Sequence, residues 1–115
     1  MTNTRELLTA AYAAFNSRDI DGALSGMHPD VEWANGMEGG FVRGHEGVRA
    51  YWMRQWRMID PRVEPMAFTE EPTGRVAVTV HQIVRDLSGH VLRDQVVTHR
   101  YSIRNGLVTR MEIGD

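Results

Sequence analysis

Hydrophobic and polar residues alternate along the last third of the chain, between Arg75 and Ile113. Two pairs of turn-forming residues, Ser88-Gly89 and Asn105-Gly106, interrupt this stretch. Alternation of this kind is typical of half-buried strands, and Asn-Gly favours the two-residue hairpin turn that needs positive φ at both positions. The pattern therefore predicts a meander of three antiparallel strands, which comprise residues 76–85, 91–104 and 107–113.

The Asn-Gly turn also predicts the register of the last two strands. With the turn as a two-residue loop, the pairs are Arg104 with Leu107, Ile103 with Val108, Tyr101 with Arg110 and His99 with Glu112. Successive side chains on a strand point to opposite faces of the sheet. One face of the middle strand therefore carries Gln95, Val97, His99, Tyr101 and Ile103.

The first half of the chain has helical spacing instead. Apolar residues at intervals of three and four predict a helix over residues 4–16 and another from Gly44 to about Ile59. Asp19 suits the N-cap of a short helix between them, which ends at Leu24. A short strand is predicted at residues 30–33. Another is predicted over residues 62–69, at the edge of the sheet, because Pro65 cannot donate a backbone hydrogen bond to a second neighbouring strand.

Helices followed by an antiparallel sheet indicate an α+β fold. A curved sheet wrapped around about three N-terminal helices makes a cone with a pocket at its open end. The length of 115 residues suits one domain, residues 1–115, with one core.

Composition excludes several classes of function. There is no cysteine, no apolar run of the ~20 residues that a membrane-spanning helix needs, and no signal-peptide pattern, so we expect a cytoplasmic protein that does not bind membranes. A net charge of −2 argues against nucleic acid. The remaining histidines are scattered, which argues against a metal site: His28, His45, His81 and His90. A small hydrophobic molecule is the expected partner.

Three segments point to a known family. "AAYAAFNSRDIDGALSGMHPDVEW", "VRGHEGVRAYW" and "VTHRYSIRNGLVTRMEI", in this order, resemble the nuclear transport factor two-like superfamily, in particular its SnoaL-like and ketosteroid-isomerase-like members. The resemblance covers essentially the whole chain. It implies a cone-shaped α+β fold with an apolar pocket between sheet and helices, and a homodimer formed through the outer face of the sheet.

The resemblance to ketosteroid isomerase also implies roles for single residues. Its catalytic tyrosine resembles Tyr12, and its second acid corresponds to His99 if the turn here is one residue shorter than in the family, or to Thr98 if it is not. Its general-base aspartate falls on Trp33, and an indole cannot accept a proton, so ketosteroid isomerase activity itself is not expected. The pocket aromatics of the third helix resemble Tyr51 and Trp52.

Each candidate residue also has a structural interpretation. The predicted register places Glu112 opposite His99, whereas a bulge would turn Met111 to that face instead. Glu112 can also be a plain salt-bridge partner, His99 a structural histidine and Tyr12 a core residue. Three indoles can fill the core or line a site for a flat ligand: Trp33, Trp52 and Trp56. Gln82 and Gln95 form either a cross-strand amide pair or a ligand contact.

We therefore hypothesise a cofactor-independent isomerase, cyclase or dehydratase that acts on a small hydrophobic carbonyl compound. His99 is the acid or base, Glu112 orients it, and Tyr12 or Tyr101 donates to the oxygen. The predicted substrate contacts are Trp33, Tyr51, Trp52, Trp56, Tyr101, Gln82 and Gln95. The alternatives are a non-catalytic binding domain for a lipophilic or aromatic metabolite, and a structural module with a filled cone.

Overall fold

The computed structural model describes residues 2–114, and the side chains of residues 4–114. Within them lie three helices and six strands. The helices are α1 (Thr2–Asn16), α2 (Ile20–Leu24) and α3 (Gly44–Met58). The strands are β1 (Met27–Ala34), β2 (Phe41–Arg43), β3 (Asp60–Glu70), β4 (Val76–Arg85), β5 (Val91–Arg104) and β6 (Leu107–Gly114). All the predicted elements are present, and β2 is an addition.

The helices bury the faces that their apolar spacing predicts. Leu8 and Tyr12 of α1 and Trp52 of α3 are almost inaccessible to solvent. The Asp19 carboxylate accepts a hydrogen bond from the backbone N–H of Gly22, which confirms Asp19 as the N-cap of α2. No helix within residues 2–114 combines the length and hydropathy of a membrane-spanning segment.

The six strands form one curved sheet in the order β2-β1-β6-β5-β4-β3. Neighbouring strands are antiparallel except for β1 and β6, which run parallel. The sheet is therefore mixed, and the prediction of a wholly antiparallel sheet is wrong at this one pair. The chain between β1 and β6 contains four strands and helix α3. A connection of this length permits parallel pairing.

The hairpin between β5 and β6 follows the predicted turn but not the whole predicted register. Asn105 and Gly106 have φ of 54° and 78°, as a two-residue turn with positive φ requires. The two pairs next to the turn, Arg104 with Leu107 and Ile103 with Val108, are those predicted. Beyond them Thr109 is an extra residue, and its hydroxyl donates to the carbonyl of Ser102 at 3.1 Å.

This bulge moves every later pair by one residue. Tyr101 pairs with Met111 rather than Arg110, and His99 pairs with Ile113 rather than Glu112. Because one residue of shift exchanges the two faces of a strand, Met111 lies on the inner face. The predicted pairing of Glu112 with His99 is therefore wrong.

The two edges of the sheet are short or interrupted. β2 has three residues. β3 is the other edge, as its prolines predict: Pro61 and Pro65 lie within it, and its pairing with β4 is irregular after Pro65. The core lies between the concave face of the sheet and the helices, and alternate β4 residues fill its base: Val76, Val78 and Val80.

Candidate functional site

A cavity of about 410 Å³ opens between the concave face of the sheet and helices α1 and α3. Most of its wall is apolar or aromatic. Three polar side chains line its buried end, namely Tyr12, His99 and Tyr101, each at most 7% exposed. A volume of this size accommodates a small organic ligand.

The three buried polar side chains form one hydrogen-bonded chain. The Tyr101 hydroxyl donates to the Tyr12 hydroxyl at 2.8 Å, and the Tyr12 hydroxyl lies 2.8 Å from Nδ1 of His99. The Tyr12 and His99 rings are nearly parallel, with 10° between their planes. Tyr12 belongs to α1 and the other two to β5, so the chain also joins the first helix to the centre of the sheet.

Burial keeps all three groups uncharged at neutral pH. Desolvation lowers the pKa of His99 to about 4. Desolvation also raises the pKa of Tyr12 and that of Tyr101, since burial disfavours the phenolate. A carboxylate beside His99, as the sequence predicted, would favour the protonated imidazole, whereas the observed apolar surroundings lower its pKa.

The second ring nitrogen of His99 is available to a ligand. Its Nε2 has no hydrogen bond to any other described residue, and the ring lines the cavity. A neutral imidazole carries its proton on one nitrogen, so the chain has two arrangements. If Tyr12 donates to Nδ1, Nε2 is a donor. If Nδ1 donates to Tyr12, Nε2 is an acceptor and the Tyr12 proton can turn to a ligand.

Glu112 takes no part in this network. It lies on the outer face of the sheet, where its carboxylate accepts from Arg75 at 3.2 Å and is 3.3 Å from Arg110. Its salt-bridge interpretation is thus correct, and its predicted role of orienting His99 is wrong. The bulge at Thr109 is the physical reason, and Tyr12 occupies the place beside His99 instead.

Aromatic side chains form the side walls. The rings of Trp33 and Trp52 meet edge to face at 5.5 Å between centroids, and Trp33 contacts Tyr101 at 6.1 Å. These three line the cavity, as predicted. Trp56 does not: one turn beyond Trp52, it packs behind the wall on Trp52 and Phe15. Its prediction as a substrate contact is therefore wrong.

The remaining predicted contacts lie in the cavity wall. Gln95 donates through Nε2 to Oε1 of Gln82 at 2.9 Å, so the amide pair forms and also faces the cavity. The Tyr51 hydroxyl accepts from the backbone N–H of Gly36 at 3.0 Å and thereby holds the loop between β1 and β2. Burial raises the pKa of Tyr51.

The sequence-based prediction missed one charged lining residue and two methionines. Arg93 lies on the same face of β5 as Gln95 and His99, and extending the alternation by one step would have found it. Met111 and Met37 line the wall as well. The bulge hid Met111, and Met37 lies in a loop without any periodic pattern.

Comparison with known proteins gives the family. The SnoaL-like domain model matches residues 8–111. No curated protein matches the chain. The crystal structure of TerC co-crystallised with polyporic acid is similar at 36% identity and a TM-score of 0.86, covering 97% of this chain and 90% of TerC.

Two further structures share the fold. A nuclear transport factor two-like protein of unknown function from Burkholderia pseudomallei is 28% identical with a TM-score of 0.86, over 99% of this chain and 91% of that protein. RV0760c from Mycobacterium tuberculosis, in complex with estradiol-17β-hemisuccinate, is 16% identical with a TM-score of 0.81, over 96% and 92% of the two chains. The chain therefore belongs to the SnoaL-like family of the nuclear transport factor two-like superfamily.

Proposed function

We propose that this protein is a cofactor-independent enzyme that performs acid–base chemistry on a small hydrophobic carbonyl compound, as an isomerase, cyclase or dehydratase. The observation that carries the proposal is the Tyr101–Tyr12–His99 chain at the buried end of an aromatic cavity. An uncharged imidazole with a free nitrogen and a hydroxyl donor together provide a base and an acid within one site.

The geometry supports the following proton path. In the arrangement where Nδ1 of His99 donates to Tyr12, the Tyr12 oxygen accepts from both His99 and Tyr101, and its own proton points to the ligand. Nε2 takes a proton from the carbon next to the carbonyl, and Tyr12 donates to the oxygen on which negative charge develops. The negative charge on the ligand oxygen then stabilises the protonated His99. This attraction opposes the desolvation that lowers the pKa of His99 before the proton is transferred.

The ligands of two neighbours support the class of substrate. TerC was co-crystallised with polyporic acid, and RV0760c was solved with estradiol-17β-hemisuccinate, a compound with a steroid ring system. The tryptophan walls of the present cavity suit flat ring systems of this kind.

A second candidate function is passive binding of a lipophilic or aromatic metabolite. The low pKa of His99 favours it, because a histidine that resists protonation is a weak base. In this case the polar chain contributes hydrogen bonds to the ligand and no proton transfer.

Deuterium exchange separates the two functions without knowledge of the natural substrate. We expect 2-tetralone to quench the tryptophan emission of the protein. We also expect the protein to accelerate the exchange of the protons next to the ketone carbonyl in deuterium oxide, which nuclear magnetic resonance measures. Quenching without accelerated exchange, for this and a panel of fused-ring ketones, would identify a binding protein. If no compound changes the emission or the exchange rate, both functions are wrong.

We also propose that two copies associate through the outer face of the sheet. Val96 lies on this face and is 59% exposed, and the half-buried Ile83 lies beside it on β4. Exposed apolar groups on a broad sheet face are typical of an interface between identical chains.

Light scattering at micromolar concentration is expected to give the mass of a dimer. Val96→Asp should reduce it to the 13.1 kDa of one chain, because association would bury two new carboxylates. Leu87→Asp is the matched control, since Leu87 is equally exposed but lies in the turn between β4 and β5. A wild-type protein with the mass of one chain would refute this assembly.

A further inference from the structure

One end of the cavity carries a positive charge. No aspartate or glutamate is among the described residues that line it, and His99 is uncharged at neutral pH. Arg93 is therefore the one described lining residue with a formal charge. Arg93 pairs with Val84 in the register of β4 and β5, which places it on the inner face. Its guanidinium has no ion-pair partner within residues 4–114. A ligand in the cavity therefore meets an uncompensated cation.

The strand β5 sets the distance between the two polar ends of the cavity. His99 and Arg93 are six residues apart on the same face, and a strand rises about 3.3 Å per residue, so their backbones are about 20 Å apart. Gln95 lies between them, about 13 Å from His99 by the same measure. Gln95 and its cross-strand partner Gln82 line the cavity between the two ends.

We propose that the ligand of this cavity is an elongated aromatic anion, with its carbonyl or hydroxyl end at Tyr12 and His99 and its acidic group at Arg93. The inference rests on the proposed function, because it names the class of substrate for the same site. A guanidinium binds a planar carboxylate through two parallel N–H donors. Both amide hydrogens of Gln82 are free to donate as well, since in the Gln82–Gln95 bond Gln82 is the acceptor.

A pair of biphenyl probes tests the proposal. 4′-Hydroxybiphenyl-4-carboxylate has a hydroxyl at one end and an anion at the other, and its methyl ester lacks only the charge. Titrations followed by tryptophan emission at pH 7 and low salt should show the acid binding about fivefold tighter than the ester, the upper range for an ion pair that water reaches. Added salt should reduce this preference. Arg93→Gln should abolish it and leave the affinity for the ester unchanged.

Arg104→Gln is the matched control and should keep the preference. It removes the same charge from the same strand, at an exposed position outside the cavity. Equal wild-type affinity for acid and ester would overturn the anion inference while the cavity remains an aromatic-binding site. Equal weakening of both probes by Arg93→Gln would also overturn it, because Arg93 would then support the fold. If neither probe binds the wild type, the anion inference and the proposed ligand class both fail.

Discussion

Replacing His99 with glutamine is expected to reduce the rate of carbonyl proton exchange by about 10²- to 10⁴-fold, or about 3 to 5 kcal/mol of barrier. Glutamine has a similar length and can still hydrogen-bond to Tyr12, but it cannot take up a proton. Binding of the ketone should change by no more than about one hydrogen bond, roughly 0.5 to 1.5 kcal/mol. The measurement is the exchange rate at saturating ketone, together with the affinity from tryptophan emission.

His90→Gln provides the matched control for this experiment. His90 follows the turn between β4 and β5, and its side chain is 82% exposed. The same substitution there should leave exchange and binding unchanged. An unchanged exchange rate in His99→Gln would refute the role of His99 in proton transfer. A loss of exchange that tracks a fall in the melting temperature would assign His99 a structural role instead.

The same histidine should make the protein sensitive to mild acid. In the unfolded chain the pKa of His99 is the ordinary histidine value of 6.5, whereas burial lowers its pKa in the folded protein to about 4. Between these two pH values the unfolded state binds more protons, so the free energy of unfolding falls as the pH falls from 6.5 towards 4. The difference between the two pKa values corresponds to about 3 kcal/mol.

Urea unfolding at a series of pH values measures this term. The wild-type free energy of unfolding should lose up to about 3 kcal/mol more than that of His99→Gln between pH 7 and pH 4. Subtracting the two curves cancels the carboxylates, which titrate alike in both proteins. Parallel curves would mean that His99 is not desolvated in the folded state. His90→Gln should follow the wild type, because the side chain of His90 is 82% exposed and lies outside the buried network.

Local signals in the sequence were sufficient for most of the fold. The meander could be predicted because alternation and the Asn105-Gly106 turn are short-range features, and the helices because their apolar stripes repeat at 3.6 residues. The strand β2 could not, since three residues carry no period. The parallel pairing of β1 with β6 depends on contacts between distant parts of the chain, which a local pattern does not contain.

The site residues could be predicted from the sequence where the strand pairing is regular, as it is along most of β5. Alternation alone placed His99, Tyr101 and Gln95 on the cavity face, and the helical stripe placed Tyr12. The same reasoning failed for Glu112, because a single unpaired residue beyond the turn exchanged the faces of β6. Trp56 failed for another reason. A helical stripe indicates which face is buried, but it does not distinguish a cavity wall from the core behind it.

The bulge at Thr109 also bears on how proteins of this shape can diverge. With Thr109 unpaired, β6 turns Met111 to the cavity and Arg110 and Glu112 to the outside. If Thr109 instead paired with Ser102 in a regular hairpin, the two sets would be exchanged, placing the Glu112 carboxylate opposite His99 and the Arg110 guanidinium opposite Tyr101. A change in the turn that removed the bulge without removing a residue would thus make the uncharged end of the cavity ionic, without a substitution at any residue that lines the cavity.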